Sequence, residues 1–209
     1  MQLSIRSLSV GALGLVLTLA ACRDTMLYRA SQDYFPLIPG SEWHYCSGND
    51  TIYLSVDTTQ KLIQNQPCTV LWRNFAPEYW TKGPTEIRKF FVHTASSGDT
   101  FEARLGLVYQ LPLVLGASWR EVFRDTIVIR GTDTVYYTHS LTGTVTAIAV
   151  DSTPAGVFDD CYKVEFTDQV IAGDTITEQF GEWLAPGTGV VHRQTGTGEE
   201  RLLNYRSGP

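Results

Sequence analysis

Five short segments of the chain repeat the order aspartate, threonine and a large apolar residue. They begin at Asp50, Asp99, Asp125, Asp133 and Asp174. An aspartate side chain caps a turn, and the β-branched or aromatic residue that follows favours the start of a strand. A glycine, which reaches positive φ without strain, stands close before each of them except Asp125. The signature therefore predicts a run of antiparallel hairpins, with Asp125 inside one long strand.

Alternation of side chains between these turns supports the same architecture. Apolar side chains stand at every second position in Ile52, Leu54 and Val56, with Tyr53, Ser55 and Asp57 between and after them. The same period of two runs through 162–166. This period is typical of a strand with one buried face. We predict an all-β fold, a highly curved antiparallel sheet or barrel built from consecutive hairpins. The predicted strands are 42–47, 51–58, 67–75, 86–94, 99–109, 117–130, 133–150 (bent or broken near Gly143), 157–170, 174–185, 189–195 and 199–206. Residues 76–84 and 107–116 are predicted to be irregular.

A longer internal repeat relates two parts of the chain. Residues 36–43 and 112–119 share the pattern Pro-Leu-apolar-x-Gly-x-x-Trp. Proline interrupts strand pairing, glycine allows a bend, and tryptophan fills the core as the next strand begins. The repeat predicts two similar halves of the sheet, and chance similarity between two loop-to-strand connections is the alternative.

The N-terminus has the organisation of an export signal. One basic residue, Arg6, precedes a largely apolar stretch that ends in Leu19-Ala20-Ala21 before Cys22. Small residues at this place are typical of a signal-peptide cleavage site. With a cysteine directly after them, the segment resembles the lipobox of bacterial lipoproteins, in which Cys22 would carry the lipid. We predict a signal peptide at 1–21, a lipidated cysteine and tether at 22–33, and a single all-β domain at 34–209.

The net charge of the chain and its predicted localisation limit the classes of molecule that it is expected to bind. The chain has 16 basic and 22 acidic residues, a formal net charge of −6. An acidic chain is a poor partner for nucleic acid. Arg23, rather than aspartate, follows Cys22, which favours the outer membrane, with the domain facing the periplasm or the cell surface. The predicted partners are the membrane, through lipid on Cys22, and an envelope protein or apolar ligand.

Three cysteines remain if Cys22 carries lipid. Cys46 and Cys68 lie on predicted strands close in sequence, and an exported chain meets an oxidising compartment. We therefore predict a disulfide between Cys46 and Cys68. Three unpaired thiols that pack as small apolar residues, Cys161 included, are the alternative.

Catalytic and metal-binding patterns are missing from the sequence. His44, His93, His139 and His192 follow no recognised metal spacing, and no Gly-x-Ser-x-Gly motif is present. We predict no metal, no cofactor and no enzyme activity.

Aromatic residues cluster at Trp72, Phe75, Tyr79 and Trp80. They indicate either a contact surface for an apolar or carbohydrate ligand in the segment 76–84 or ordinary core packing.

Three motifs carry a resemblance to known proteins. They are Tyr34-Phe35-Pro36-Leu37 with Gly40 and Trp43, the segment 154–164, and the segment 183–191 with its Ala-Pro-Gly-x-Gly-x-Val pattern. Together they resemble an uncharacterised family of bacterial envelope lipoproteins, similar to the domain of unknown function in pilus-assembly-associated periplasmic proteins. The resemblance implies a β-rich envelope protein and supplies no catalytic residues.

These observations lead to three hypotheses of function. The first is a membrane-anchored lipoprotein that serves as a non-enzymatic binding or assembly module of the cell envelope. The second is a carrier of lipid or another apolar ligand inside a β-barrel, which requires a continuous apolar cavity. The third is an envelope hydrolase, which requires catalytic side chains that converge in one cleft.

Overall fold

The computed structural model describes residues 33–94, 100–129 and 133–209. Consecutive β-strands make up nearly all of this part, so the predicted all-β class is confirmed. In the same ranges, no helix of the length and apolarity needed to cross a bilayer is found. The strands are β1 (Glu42–Ser47), β2 (Asp50–Ile63), β3 (Gln66–Arg73), β4 (Ala76–Lys82), β5 (Glu86–Thr94), β6 (Thr100–Gln110), β7 (Ser118–Ile129), β8 (Asp133–Thr153), β9 (Gly156–Ala172), β10 (Asp174–Ala185), β11 (Gly189–Thr195) and β12 (Gly198–Arg206).

All of these strands belong to one antiparallel sheet that is nearly closed into a barrel. Its order is β6-β5-β4-β3-β2-β1-β12-β11-β10-β9-β8-β7. The sheet therefore consists of two six-stranded meanders joined by the pairing of β1 with β12. The two edge strands, β6 and β7, meet at a seam that side chains bridge. Across it, Trp119 Nε1 donates to the Val108 carbonyl oxygen at 2.7 Å, and Arg104 Nη1 donates to Glu121 Oε1 at 2.6 Å.

The internal repeat lies at the start of each meander. Gly40, with φ of 80°, donates its N–H to the Val56 carbonyl oxygen at 3.0 Å. Gly116, with φ of 82°, donates its N–H to the Val145 carbonyl oxygen at 2.9 Å. The positive φ is the reason that glycine stands at both bends. The same turn thus leads into β1 and β7, as expected for two similarly built halves.

Each repeat ends in a buried tryptophan that closes the core. Trp43 and Trp119 are both 5% exposed. Trp43 Nε1 donates to the Thr188 carbonyl oxygen at 2.6 Å, so each indole fills the core and satisfies its polar atom. Both halves contribute to the surrounding apolar cluster, which includes Tyr45, Leu71, Ile87, Val145, Val164, Leu184, Val191 and Leu202.

Some local predictions differ from the structure. Of the segment 107–116, which was predicted to be irregular, the first part belongs to β6, because that strand continues to Gln110. The segment 76–84 was predicted to be irregular, but β4 occupies Ala76–Lys82 and pairs with both β3 and β5. The turn before it is tight because Asn74 and Phe75 both adopt positive φ, at 46° and 69°, without a glycine. In addition, β8 was predicted to be bent or broken near Gly143. It is not broken there, and its pairing with β9 shifts register just beyond, between Val145 and Ala147.

Candidate functional site

The inside of the barrel contains a cavity of about 180 Å³ with charged side chains in its wall. Arg73, Lys89 and Arg193 reach it from β3, β5 and β11. Their side chains are 26%, 29% and 29% exposed, so solvent reaches all of them. Apolar and aromatic neighbours complete the wall, and they include Phe35, Leu54, Leu71, Trp80, Phe91 and Val190. We call this cavity the interior pocket.

Every one of these basic residues is paired with a glutamate. Arg73 Nη2 lies 2.5 Å from Glu200 Oε1, across the intervening strands β1 and β2. Lys89 Nζ lies 2.7 Å from Glu78 Oε1 on the neighbouring strand. Burial favours a higher pKa for Glu78, but the adjacent Lys89 outweighs it and keeps the pKa of this carboxyl below its ordinary value.

The third pair joins a network that spans the interior. Arg193 Nε lies 3.3 Å from Glu182 Oε1. The Tyr109 hydroxyl, from the opposite meander, donates to Glu182 Oε2. Burial, together with the negative charge of Glu182, raises the pKa of Tyr109 well above its ordinary value. Tyr109 therefore stays neutral and acts as a hydrogen-bond donor between the two halves.

A second cluster of polar side chains lies at the seam, next to the interior pocket. Its centre is Glu102 on β6, whose side chain is fully buried. Glu102 Oε2 lies 2.8 Å from His93 Nδ1, 2.7 Å from His139 Nδ1 and 2.7 Å from the Tyr137 hydroxyl. The other ring nitrogen of His139 lies 3.0 Å from Asp168 Oδ1. We call these five residues the seam cluster.

The electrostatics of the seam cluster favour an ionised carboxylate and a charged imidazole. Burial favours the neutral form of Glu102, but hydrogen bonds from His139, His93 and Tyr137 keep its pKa well below the ordinary range. Burial also opposes the charge on His139, yet the hydrogen bonds to Asp168 and Glu102 raise its pKa to about 9. Asp168 lines the interior pocket as well, so the two features share a wall.

The seam cluster was not predicted from the sequence. His93 and Glu102 stand directly opposite each other in the ladder of β5 and β6, so their side chains share a face. A hairpin centred between them would have indicated this contact. His139 comes from β8, in the other meander. His139 reaches Glu102 only because the sheet closes, and no local sequence pattern predicts a contact between these two residues.

The predicted disulfide does not fit this fold. Cys46 stands opposite Thr51 at the beginning of β2, whereas Cys68 stands opposite Lys61 near its end. At about 3.3 Å per residue, these positions are roughly 30 Å apart along the strand, far beyond disulfide reach. Cys46, Cys68 and Cys161 are free thiols. Cys22 and the predicted signal peptide lie outside the described residues.

The predicted aromatic contact surface is not assembled as one patch. Trp80 faces the core and is 7% exposed, so it cannot belong to an outer surface. Trp72 donates to Asp57 Oδ2 at 3.0 Å, and Tyr79 accepts from Lys61 Nζ at 3.1 Å; both are half-buried. Phe75 is 88% exposed at the turn between β3 and β4. Of the four residues, Phe75 alone presents most of its ring to solvent.

Comparison with known proteins gives distant structural similarity. No family model and no curated protein sequence matches the chain. A candidate lipoprotein from Parabacteroides distasonis aligns with a TM-score of 0.47 and 13% identity, over 84% of this chain and 99% of that one. A candidate exported protein with a YmcC-like fold from Bacteroides fragilis aligns with a TM-score of 0.36 and 12% identity, over 84% and 100%. The resemblance to pilus-assembly-associated proteins stays a prediction.

Proposed function

We propose that this chain is a bacterial lipoprotein, held at the outer membrane through lipid on Cys22, whose β-domain is a non-enzymatic binding module. The observation that carries the proposal is the interior pocket. Three basic side chains from different strands meet there, and each faces a glutamate. Such a wall offers both donors and acceptors of charge-assisted hydrogen bonds. The ligand class that fits it is a small polar molecule with both positive and negative groups.

Size and polarity of the pocket argue against the apolar carrier. The volume of about 180 Å³ is below the roughly 300 Å³ at which pockets for drug-sized ligands begin. An acyl chain in this space would also leave the ion-paired groups without water, which is costly. A small polar ligand could replace that water and keep the charged groups solvated by hydrogen bonds.

The charge states of Glu78 at the interior pocket, and of Glu102 and His139 in the neighbouring seam cluster, support binding rather than catalysis. A general acid or base works best with a pKa near the operating pH. The pKa of Glu78 and that of Glu102 are lowered, and that of His139 is about 9. These groups hold their charges near neutral pH, as suits recognition by fixed charges.

A thermal-shift screen of the full chain in detergent tests the ligand class. The probes are free amino acids as zwitterions and medium-chain fatty acids as apolar ligands. We expect at least one zwitterion to raise the melting temperature, and we expect the Lys89→Met variant to lose that response. Stabilisation by fatty acids alone, or by neither class, would contradict the proposal.

Lys61→Met is the matched control for that variant. Lys61 Nζ lies 4.9 Å from the centroid of the Tyr79 ring on the outer face, and Lys89 Nζ lies 5.3 Å from that of Trp80 at the interior pocket. Both substitutions remove a lysine that covers an aromatic ring. Only the one in the pocket should abolish the response to the ligand.

The anchor is tested separately by fractionation. Replacing Cys22 with alanine should abolish incorporation of radiolabelled palmitate and release the chain from the membrane fraction. A Cys22→Ala variant that still sediments with the outer membrane would contradict the lipid anchor. This result is independent of the ligand screen, so the two parts of the proposal can fail separately.

A further inference from the structure

We propose that His93, Glu102 and His139 of the seam cluster bind a divalent transition-metal ion of the Zn²⁺ class. Such a metal site would require neither the lipid anchor nor a ligand in the interior pocket. The ligand atoms offered by the three residues lie within 4.8 Å of one another. Two imidazoles and one carboxylate form a donor set that is typical of zinc.

The distances between the donor atoms are close to those that one ion requires. His93 Nδ1 and His139 Nδ1 lie 2.8 and 2.7 Å from Glu102 Oε2. Three ligands at about 2.1 Å around a tetrahedral ion stand roughly 3.4 Å apart. The two imidazole nitrogens would therefore need to move away from Glu102 Oε2 by a fraction of an ångström to admit the ion.

Asp168 supplies the support that a metal-bound histidine normally has. A histidine that binds a metal usually donates its other ring N–H to a carboxylate, which fixes its orientation. His139 Nε2 lies 3.0 Å from Asp168 Oδ1, and Nδ1 points at Glu102. The imidazole is 2% exposed, so its orientation is held from both sides.

The Tyr137 hydroxyl lies at the remaining side of the site. It is 2.6 Å from His93 Nδ1 and 2.7 Å from Glu102 Oε2. The site can therefore keep a position for a hydroxyl or a water molecule next to the metal. The His93 side chain is 33% exposed, which gives an ion a route from solvent.

Glu102 also retains an acceptor that no hydrogen bond satisfies. Its Oε1 is buried and lies 2.9 Å from Arg104 Nε, but neither atom makes an aligned hydrogen bond. Two carboxylates, Glu102 and Asp168, thus flank His139 in a buried place. Binding of a dication would displace the proton that His139 carries in the absence of metal, so the ion would replace that positive charge beside the two carboxylates.

Calorimetric titration of ZnCl₂ into the untagged full chain, stripped with EDTA in detergent, tests the site. We expect one equivalent of Zn²⁺ to bind, and Co²⁺ in its place to give a visible absorption band. The His93→Ala variant should lower the affinity by about 100-fold or more. The Asp168→Asn variant, which keeps the size of the side chain but removes the negative charge beside His139, should lower it by about 10- to 100-fold.

His192→Ala is the matched control, because His192 is also a buried histidine between two carboxylates. Its ring nitrogens lie 3.4 Å from Asp151 and 3.1 Å from Glu199, but within the described residues it belongs to no group of three side chains that could hold one ion. The His192→Ala variant should bind Zn²⁺ with the affinity of the wild type. Because His93 is partly exposed, the His93→Ala variant should fold even if substitution of a buried residue of the seam cluster prevents folding. The absence of saturable Zn²⁺ binding, or wild-type affinity in His93→Ala, would overturn the proposal and leave the seam cluster as a structural polar network.

Discussion

The indole of Trp119 occupies the space beside Gly143, the residue opposite it in the ladder of β7 and β8. A Cβ atom on Gly143 would be 2.4 Å from Trp119 Cζ2, closer than such atoms can approach. In this position the indole also donates to the Val108 carbonyl oxygen on β6. Gly143 therefore leaves the space in which Trp119 joins the two edges of the sheet.

Substituting Gly143 with alanine should destabilise the domain because the new methyl group collides with a buried ring. Overpacking of this kind costs about 1 to 3 kcal/mol, and we expect the upper part of that range in urea unfolding. Gly196→Ala is the control, since a Cβ at Gly196 would meet no atom within 4 Å. Its effect should stay within about 0.5 kcal/mol. Equal losses in both variants would show that Trp119 does not need the space.

Removing the Tyr109 hydroxyl should weaken the contact between the meanders. The Tyr109→Phe change deletes a buried hydrogen bond to the charged Glu182 and leaves an acceptor unpaired. We expect a loss of about 2 kcal/mol in the free energy of unfolding. Tyr136, 76% exposed on β8, provides the control, and Tyr136→Phe should be nearly neutral. A neutral Tyr109→Phe variant would contradict the structural role of this bond.

Stability should fall as the pH rises through the titration range of His139. Its pKa in the folded state is about 9, above the ordinary value of about 6.5. A raised pKa contributes stability that is complete below about pH 6.5 and is lost on the way to pH 9. Urea unfolding with EDTA present should show a loss of at most about 3 kcal/mol over this interval. The His139→Gln variant should lack this loss, and an unchanged slope would exclude His139 as its source.

Thiol counting should distinguish the cysteine states. Burial raises the pKa of Cys161 to about 11 and also raises that of Cys68, so neither should react in the folded chain. Cys46 is only half-buried and should react first. In denaturant, the processed chain should give three reactive thiols per molecule if Cys22 carries lipid. One thiol would indicate a disulfide, and four would indicate an unmodified Cys22.

Side-chain alternation was enough to predict most strands, because a period of two reports a face buried against the core. It failed for β4, where Pro77, Glu78 and Lys82 interrupt the pattern. The turn that starts this strand uses Asn74 and Phe75 at positive φ, so the usual glycine signal is missing as well. The sequence motif of Gly40 and Gly116, in contrast, predicted the two halves correctly, since both turns require positive φ.

The sites were harder to predict because long-range register creates them. Arg73 and Glu200 meet across the barrel although 127 residues separate them in the chain. His139 reaches Glu102 only because the sheet curves until its edge strands are neighbours. The adjacent residues Glu199 and Glu200 on β12 have partners on opposite faces of the sheet. Glu200 pairs with Arg73 at the interior pocket, whereas Glu199 pairs with His192.

The strand order also bears on how the chain can reach its native state. Within the described residues, every ladder except that of β1 with β12 joins consecutive strands. Short hairpins close with little loss of chain entropy, whereas the β1–β12 ladder brings together Glu42 and Arg206 from opposite ends of the domain. Contacts of such sequence separation slow folding more than local ones do. Folding of this domain is therefore expected to combine fast zipping of each meander with one slow encounter between its first and last strands.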